Sequence, residues 1–210
     1  YYAQCELEGA NEHQIEESQK AVAKMEVIIG DPDRLRAVAE DFIKHYETRV
    51  AEGATVAGKA MFVCSNRNIA YDFYKIVKEL RPEWTEKKIC DDGVVLSEKD
   101  KKELKPMEKI KLVMTRNKDD EKDLFDMLGT KEDRKEFDRQ FKNPKSNFKI
   151  AIVVDMWLTG FDVPELDTIY IDKPIQQHTL IQTISRVNRV CEGKDKGLIV
   201  EDIGSKKKMN

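Results

Sequence analysis

The sequence predicts an α/β domain in which a mostly parallel sheet of about five or six strands carries helices on both faces. Three observations support this fold class. Continuous apolar runs rich in β-branched residues are typical of strands buried on both faces. Amphipathic helical segments lie between them, and a chain of 210 residues is long enough to bury a core. Such sheets bind ligands beyond the carboxyl ends of their strands, where we expect the functional site.

The first elements are helical. Residues 12–27 have a helical tendency, and we assign residues 1–30 to an N-terminal linker or helical segment. Asp31 followed by Pro32 predicts a helix start, because aspartate caps free N–H groups and proline fits the first helical position. Apolar residues then recur at helical spacing until residues 52–53. They are Leu35, Val38, Ala39, Phe42, Ile43, Tyr46 and Val50.

Residues 53–60, which read GATVAGKA, fit a phosphate-binding P-loop except at the last position. Ala60 stands where a serine or threonine would bind Mg²⁺. The context is also reversed, because a P-loop follows a strand and opens a helix, whereas this stretch follows a helix and precedes a strand. We therefore interpret it as an ordinary loop, and expect the ATP-gripping lysine to be absent.

Strands alternate with helices or long connections along the rest of the chain. Residues 65–66 predict the start of a helix that Pro82 ends, and Thr130 with Asp133 predicts another helix start. Residues 83–108 are rich in Lys, Glu and Asp without clear periodicity, so we expect a solvated excursion there. Strands are predicted at residues 60–64, 110–115, 150–154, 168–172 and 198–200.

Charge and composition narrow the function classes. The net charge of -3 argues against binding nucleic acid through bulk positive charge. The four cysteines lie far apart, and neither they nor the three histidines have metal-ligand spacing, so we expect free thiols, no metal site and a cytoplasmic protein. No apolar run approaches the roughly 18 residues of a membrane span. Because the chain starts at Tyr1 and stops in SKKKMN at residues 205–210, we expect a piece of a longer protein with a truncated tail.

The most informative stretch begins with LTGFDVP at residues 158–164 and ends with QTISRVNR at residues 182–189. We predict a helix for its second part. On that helix Gln182, Arg186 and Arg189 share one face, because they are spaced i, i+4 and i+7. The other face carries the apolar residues Leu180, Ile181, Ile184 and Val187. Two neighbouring guanidiniums repel each other, so the arrangement makes most sense with an anion between them, and a triphosphate is the natural candidate.

These two runs resemble motifs V and VI of superfamily-two helicases. The longer run IVVDMWLTGFDVP at residues 152–164 is similar to the motor subunit (R subunit, HsdR) of type I restriction enzymes. The runs VIIGDPDRL at residues 27–35 and GKAMFVCSN at residues 58–66 are similar to that family as well. The resemblance is weakest between residues 81 and 147. It implies that residues 31–204 form the second RecA-like domain, with three layers, of an ATP-dependent translocase of double-stranded DNA.

The resemblance implies that five residues serve a nucleotide. Arg186 and Arg189 would be arginine fingers for the γ-phosphate of ATP, which the first RecA-like domain would hold with Mg²⁺. Arg189 is our first choice for this role. Guanidinium is suited because it stays ionised and offers a planar fork to phosphate oxygens. Gly160, Asp162 and Gln182 would contact the nucleotide or line its cleft.

The resemblance also implies contacts with the DNA backbone. Ser65 and Arg67 match the neighbourhood of motif IV, where the end of a strand meets the start of a helix and can bind phosphate. Thr159 would link the nucleotide cleft to DNA. Val154 replaces a threonine that other helicases have early in motif V, so we expect no hydroxyl contact there.

Plainer interpretations stay open for most of these residues. One of the two arginines could pair with Asp162 or Asp172 as a structural ion pair. Asp162 could instead form the turn before Pro164. Gln182 could complete a capping box with Thr179. Ser65 and Arg67 could be an ordinary cap and a surface arginine.

Partners follow from the resemblance alone. They are double-stranded DNA, the first RecA-like and nuclease domains of the same subunit, and the methyltransferase and specificity subunits of a prokaryotic enzyme. Residues 103–105 offer only a scattered match to a nuclease site, so we assign no cleavage site. Without a P-loop lysine, the fragment should not hydrolyse ATP alone.

Two other functions stay open. A RecA-like domain of another DNA repair or RNA helicase would be distinguished by whether DNA or RNA stimulates turnover. For a non-catalytic α/β interaction module, Arg189→Ala would weaken assembly while ATP turnover per complex stayed intact.

Overall fold

The computed structural model describes residues 12–157, 162–173 and 197–201. Its strands are β1 (Lys59–Cys64), β2 (Ile110–Leu112), β3 (Ile150–Val153), β4 (Leu166–Asp172) and β5 (Leu198–Glu201). Its helices are α1 (Glu12–Ile29), α2 (Pro32–Ala51), α3 (Arg67–Leu80), α4 (Glu98–Glu103), α5 (Lys122–Leu128) and α6 (Lys131–Lys142), with a 3₁₀ turn at Pro82–Thr85. No helix among these residues has the length and apolar character that crossing a membrane requires.

The five strands form one sheet in the order β2-β3-β1-β4-β5, and every pair of neighbours is parallel. Phe62 in β1 lies between Ile152 in β3 and Tyr170 in β4. All residues of these three strands are buried, as their continuous apolar runs predict. Because β3 and β4 flank β1, the loops that follow these three strands start side by side at one edge of the sheet.

Helices cover both faces of the sheet, which confirms the predicted three-layer arrangement. On one face, α2, α3 and α5 pack over one set of alternate strand residues, among them Phe62 and Tyr170. Phe42 of α2 contacts both rings edge-on, with centroids 5.1 and 4.8 Å away. On the other face, Phe137 and Phe141 of α6 pack over the alternate strand residues.

The predicted helix starts are confirmed by their caps. Asp31 accepts a hydrogen bond from the backbone N–H of Arg34 at 2.9 Å, and Pro32 is the first helical residue of α2. Asn66 caps α3. Thr130 and Asp133 form a reciprocal capping box at α6. The N-terminal helix is also confirmed, and it extends to Ile29.

The expectation that residues 83–108 form a solvated excursion was wrong in part. Trp84, Leu104 and Met107 are buried, and the backbone of Met107 pairs with that of Lys88 in an antiparallel bridge. These apolar residues are separated by charged stretches, so their burial depends on distant partners rather than on a local period. The sequence also did not predict α5, although Leu124 and Leu128 are buried.

Candidate functional site

Three sequence runs singled out above follow three neighbouring strands in the chain. Ser65 and Arg67 follow β1, the motif V run (residues 158–164) follows β3, and the motif VI run (residues 182–189) lies in the stretch that follows β4. The topology therefore brings the ends of the three strands that these runs follow to the carboxyl edge of the sheet. This is the edge at which parallel α/β sheets bind their ligands.

The structure describes three of the predicted site residues. Ser65 is half-buried, Arg67 is partly exposed, and Asp162 is exposed beside the buried Val163. The other five candidates lie outside the described residues, namely Thr159, Gly160, Gln182, Arg186 and Arg189.

Side chains tie the three strand ends together. The hydroxyl of Ser65 donates to the backbone oxygen of Asp172, the last residue of β4, at 3.0 Å. Lys173 crosses from the end of β4 to the segment after β3. Its Nζ donates to the backbone oxygen of Val154 at 3.0 Å and to Oδ1 of Asp155 at 2.8 Å. These bonds hold together the strand ends that precede the motif V and motif VI runs in the chain.

Asp172 has a partner that the sequence did not suggest. Arg34, in the first turn of α2, forks onto both carboxylate oxygens, with Nη1 at 3.1 Å from Oδ2 and Nη2 bonded to Oδ1. The Asp172 side chain is only 2% exposed. Asp172 is therefore already paired with Arg34 in a structural ion pair. The signal that could have found this pair is Arg34 itself, inside the family-like run at residues 27–35.

Arg67 is held by the loop that follows β2. Its Nη1 donates to the backbone oxygen of Thr115 at 2.7 Å, and its Nη2 lies 2.5 and 2.6 Å from the two carboxylate oxygens of Asp120. Asp120 is almost buried, and it also accepts the backbone N–H of Asn117 at 2.6 Å. Arg67 can thus bind a phosphate through its remaining N–H groups, or by exchanging Asp120 for a phosphate oxygen.

Trp157 sets the backbone at the entrance to the motif V run. It has a φ of 67°, in the left-handed region that bulky side chains rarely adopt. Its ring packs against Phe141, with centroids 5.3 Å apart, and against Phe148 at 6.5 Å. We interpret this packing as the force that holds a conformation which costs about 1–3 kcal/mol. No pattern in the sequence indicated this strain.

Comparison with known proteins identifies the family. A family model described as type I restriction enzyme subunit R domain 3 matches residues 56–201. The chain belongs to this family. The R-subunit domain has the RecA-like arrangement predicted above, a parallel sheet of five strands between helical layers.

Relatives agree with this assignment. The domain is 36% identical over 197 residues to the type I restriction enzyme HindI endonuclease subunit of Haemophilus influenzae, covering 92% of this chain and 17% of that protein. It is 39% identical over 197 residues to a protein described as the MjaIXP endonuclease subunit of Methanocaldococcus jannaschii, covering 93% and 16%. The chain thus spans about a sixth of the length of these relatives.

A solved structure shares the fold. It is a fragment described as an HsdR subunit of a type I restriction enzyme from Vibrio vulnificus YJ016, and it superposes with a TM-score of 0.53. The likeness covers 83% of this chain and 28% of that one at 15% identity, so it concerns the fold alone.

The P-loop-like stretch of the R-subunit domain is an ordinary loop, as its context predicted. Its first six residues lie between α2 and β1 and its last two begin β1, at the amino edge of the sheet and away from the candidate site. The backbone N–H groups of Val56 and Ala57 donate to the buried Asp167 at 2.9 and 3.4 Å. These groups therefore already hold an internal carboxylate.

Lys59, at the P-loop lysine position, is buried and cannot reach a nucleotide. Its Nζ donates to the backbone oxygen of Phe148 at 2.5 Å and lies 5.1 Å from the ring centre of Phe141. Burial lowers the pKa of the Lys59 amine well below its usual value, and the neighbouring Lys149 lowers it further. Among the residues described by the structure, no cluster of three or more His, Cys, Asp or Glu could hold a metal ion.

Proposed function

We propose that this R-subunit domain is the second motor domain of an enzyme that uses ATP to move double-stranded DNA. Family membership supports the parent enzyme class. The observation that carries the proposal is the hydrogen-bonded edge of the sheet, where Ser65 and Lys173 join the three strand ends from which the motif-bearing segments start. Because the edge is fixed in this way, the protein groups on it have little freedom to move and can be held in place for a ligand.

In this proposal the motif VI arginines act on ATP held by another domain. Phosphoryl transfer requires positive charge against the phosphoryl group as charge moves to the leaving oxygen. Arg186 and Arg189 would supply that charge, and Gly160, Asp162 and Gln182 would contact the nucleotide or the cleft around it. An arginine of this kind contributes about 10³- to 10⁵-fold to turnover.

Mg²⁺ would neutralise charge on the phosphates when it is bound. The described residues of this domain do not provide a set of ligands for it. As the family resemblance implies, the ion would be held mainly by the first RecA-like domain, together with ATP. The contribution of this domain is restricted to orienting cations and fixing the shape of the cleft.

DNA contact is assigned to Ser65, Arg67 and Thr159. Ser65 donates to a backbone oxygen, and Arg67 is paired with Asp120. A phosphate contact by the Ser65 hydroxyl, or by the Arg67 N–H groups that hold Asp120, therefore competes with an internal bond. We propose that DNA phosphates replace these internal partners. The domain would then bind the duplex locally and reversibly, as a motor that alternately binds and releases DNA requires.

The remaining partners are proposed from the family of the parent protein. They are the first RecA-like and nuclease domains of the same subunit and the methyltransferase and specificity subunits, assembled in a prokaryotic cytoplasm. Closure of the two RecA-like domains on ATP would bring Arg186 and Arg189 to the phosphates, and hydrolysis would reopen the cleft.

The proposal is tested by measuring ATP turnover of the full-length parent subunit, assembled with its partner subunits, with double-stranded DNA, with RNA, and without nucleic acid. We expect stimulation by double-stranded DNA, no stimulation by RNA, and no turnover by the 210-residue chain alone. Equal stimulation by RNA, or robust turnover by the chain alone, would contradict the proposal.

A further inference from the structure

Arg34 joins three elements at the base of the candidate site. Its guanidinium forks onto the carboxylate of Asp172, the last residue of β4. The same Nη1 group donates to the backbone oxygen of Ile29, the last residue of α1, at 3.0 Å. Arg34 itself lies in the first turn of α2. One side chain thus connects α1, α2 and the end of β4.

The ion pair between Arg34 and Asp172 is largely buried. The Asp172 side chain is 2% exposed, and the Arg34 side chain is 28% exposed. A buried carboxylate that loses its cation is left uncompensated, so the two groups hold each other in place. The planar fork of arginine also fixes direction as well as distance, which lysine cannot do.

The ion pair lies next to the hydrogen bonds that hold the strand ends at the candidate site. Asp172 is followed by Lys173, which bonds to the segment after β3, and then by the stretch that contains the motif VI run. The backbone oxygen of Asp172 also accepts the hydroxyl of Ser65. The carboxylate that Arg34 holds therefore belongs to the last residue of β4, after which the chain continues to the motif VI run.

We propose that Arg34 is a positioning residue for the motif VI arginines, acting through Asp172, and that it couples the end of α1 to the nucleotide cleft. The inference rests on the proposed function, because it assumes that Arg186 and Arg189 serve ATP. Loss of the paired hydrogen bonds from Arg34 would shift the end of β4, from which the chain continues to the motif VI run. A shift of about 1 Å at a catalytic group can cost on the order of 10²-fold in rate.

Arg36 provides a matched control. It lies two residues further along α2, its side chain is 46% exposed, and its Nη1 donates to Glu79 of α3 at 3.0 Å. Removing Arg36 therefore deletes a guanidinium and an ion pair from the same helix without touching β4.

The test measures the binding of ADP and of ADP with aluminium fluoride, which imitates the transferring phosphoryl group, to the full-length parent subunit. The variants are Arg34→Ala, Arg34→Lys, Asp172→Asn, Arg36→Ala and Arg189→Ala. The ratio of the two affinities does not depend on the fraction of protein that is folded, so a merely structural role would not move it. We expect Arg34→Ala and Asp172→Asn to lower the preference for the aluminium fluoride complex at least tenfold, Arg34→Lys to lower it less, and Arg36→Ala to leave it unchanged.

The outcomes separate the two proposals. If Arg189→Ala lowers the preference while Arg34→Ala and Asp172→Asn behave like Arg36→Ala, the inference on Arg34 is overturned and the proposed function stands. If Arg189→Ala itself leaves the preference unchanged, the proposed function is overturned, and the inference falls with it. If Arg34→Ala does not fold, the isosteric Asp172→Asn and the conservative Arg34→Lys decide.

Discussion

Arg67 and Asp120 form an ion pair, in which Nη2 of the guanidinium lies 2.5 and 2.6 Å from the two carboxylate oxygens. The pair joins the start of α3, after β1, to the loop after β2. A carboxylate and a phosphate offer similar pairs of oxygens to a guanidinium. In the proposed contact with DNA, a phosphate would take the place that Asp120 occupies on Arg67.

This relationship predicts that Asp120→Asn strengthens binding of DNA to the full-length parent subunit. The substitution removes the competing negative charge and leaves the Arg67 cation available to phosphate. We expect the dissociation constant to fall several-fold more than in Asp119→Asn, which makes the same charge change at the neighbouring exposed position. The measurement is a salt titration of binding, in which Arg67→Ala should reduce the slope of log K against log salt by about 1. Equal effects of the two asparagine substitutions would show that Asp120 does not compete with DNA.

The left-handed backbone of Trp157 predicts that a glycine at this position is more stabilising than an alanine, the reverse of the usual order. Both substitutions lose the packing on Phe141 and Phe148, but only glycine also relieves a φ of 67°. We expect Trp157→Gly to be more stable than Trp157→Ala by about 1 kcal/mol in denaturant unfolding. If alanine is the more stable of the two, the strain assigned to this position does not exist.

Lys59 predicts a pH-dependent stability. Burial lowers the pKa of its amine well below the usual 10.5, so the folded chain binds fewer protons than the unfolded chain between the two pKa values. The free energy of unfolding should therefore rise with pH through that window. Lys59→Met removes this dependence, so its stability relative to the wild type should fall as the pH rises from 7 to 9. Urea unfolding at the two pH values measures the difference.

The exposed Lys44→Met is the control for this measurement, because Lys44 lies on α2 with its side chain in solvent. Its stability relative to the wild type should not change with pH. A stability difference for Lys59→Met that is equally independent of pH would contradict the assignment of a lowered pKa to Lys59.

Asp167 predicts a stability effect at the P-loop-like stretch. Its two oxygens accept the backbone N–H groups of Val56 and Ala57, and the residue is buried. Asp167→Asn replaces one accepting oxygen by a donor and should lower the free energy of unfolding by about 1–3 kcal/mol. Asp92→Asn, at a side chain that is 96% exposed, is the control and should change little. Equal stability of the two variants would mean that Asp167 does not hold the loop.

Much of the fold could be predicted because its signals are local. The central strands are buried on both faces, so each reads as a continuous apolar run, and the predicted 60–64 compares with Lys59–Cys64 in the structure. The caps at Asp31 and Thr130 depend on neighbours three residues away. The start of β4 was missed because the buried Asp167 interrupts its apolar run.

The site was predicted less completely, since its ties are not local. Arg34 and Asp172 are 138 residues apart, and Arg67 and Asp120 are 53 residues apart. Neither hydrophobic periodicity nor a capping pattern predicts ion pairs between residues so far apart in the sequence. The sequence pointed to Ser65 and Arg67 through a family resemblance, but the partners that hold them follow only from the packing of the sheet edge.

The central claim is that the motif VI arginines serve a nucleotide held by another domain of the parent subunit. It is tested most directly by DNA-stimulated ATP turnover of the full-length parent with Arg189→Ala and with Arg186→Ala. Arg139→Ala is the control, because Arg139 is an exposed arginine of α6 that pairs with Glu136. We predict that turnover falls by about 10³- to 10⁵-fold with Arg189→Ala, while the subunit still assembles and Arg139→Ala is unaffected. Unchanged turnover per complex with Arg189→Ala, accompanied by weaker assembly, would instead identify the domain as an interaction module.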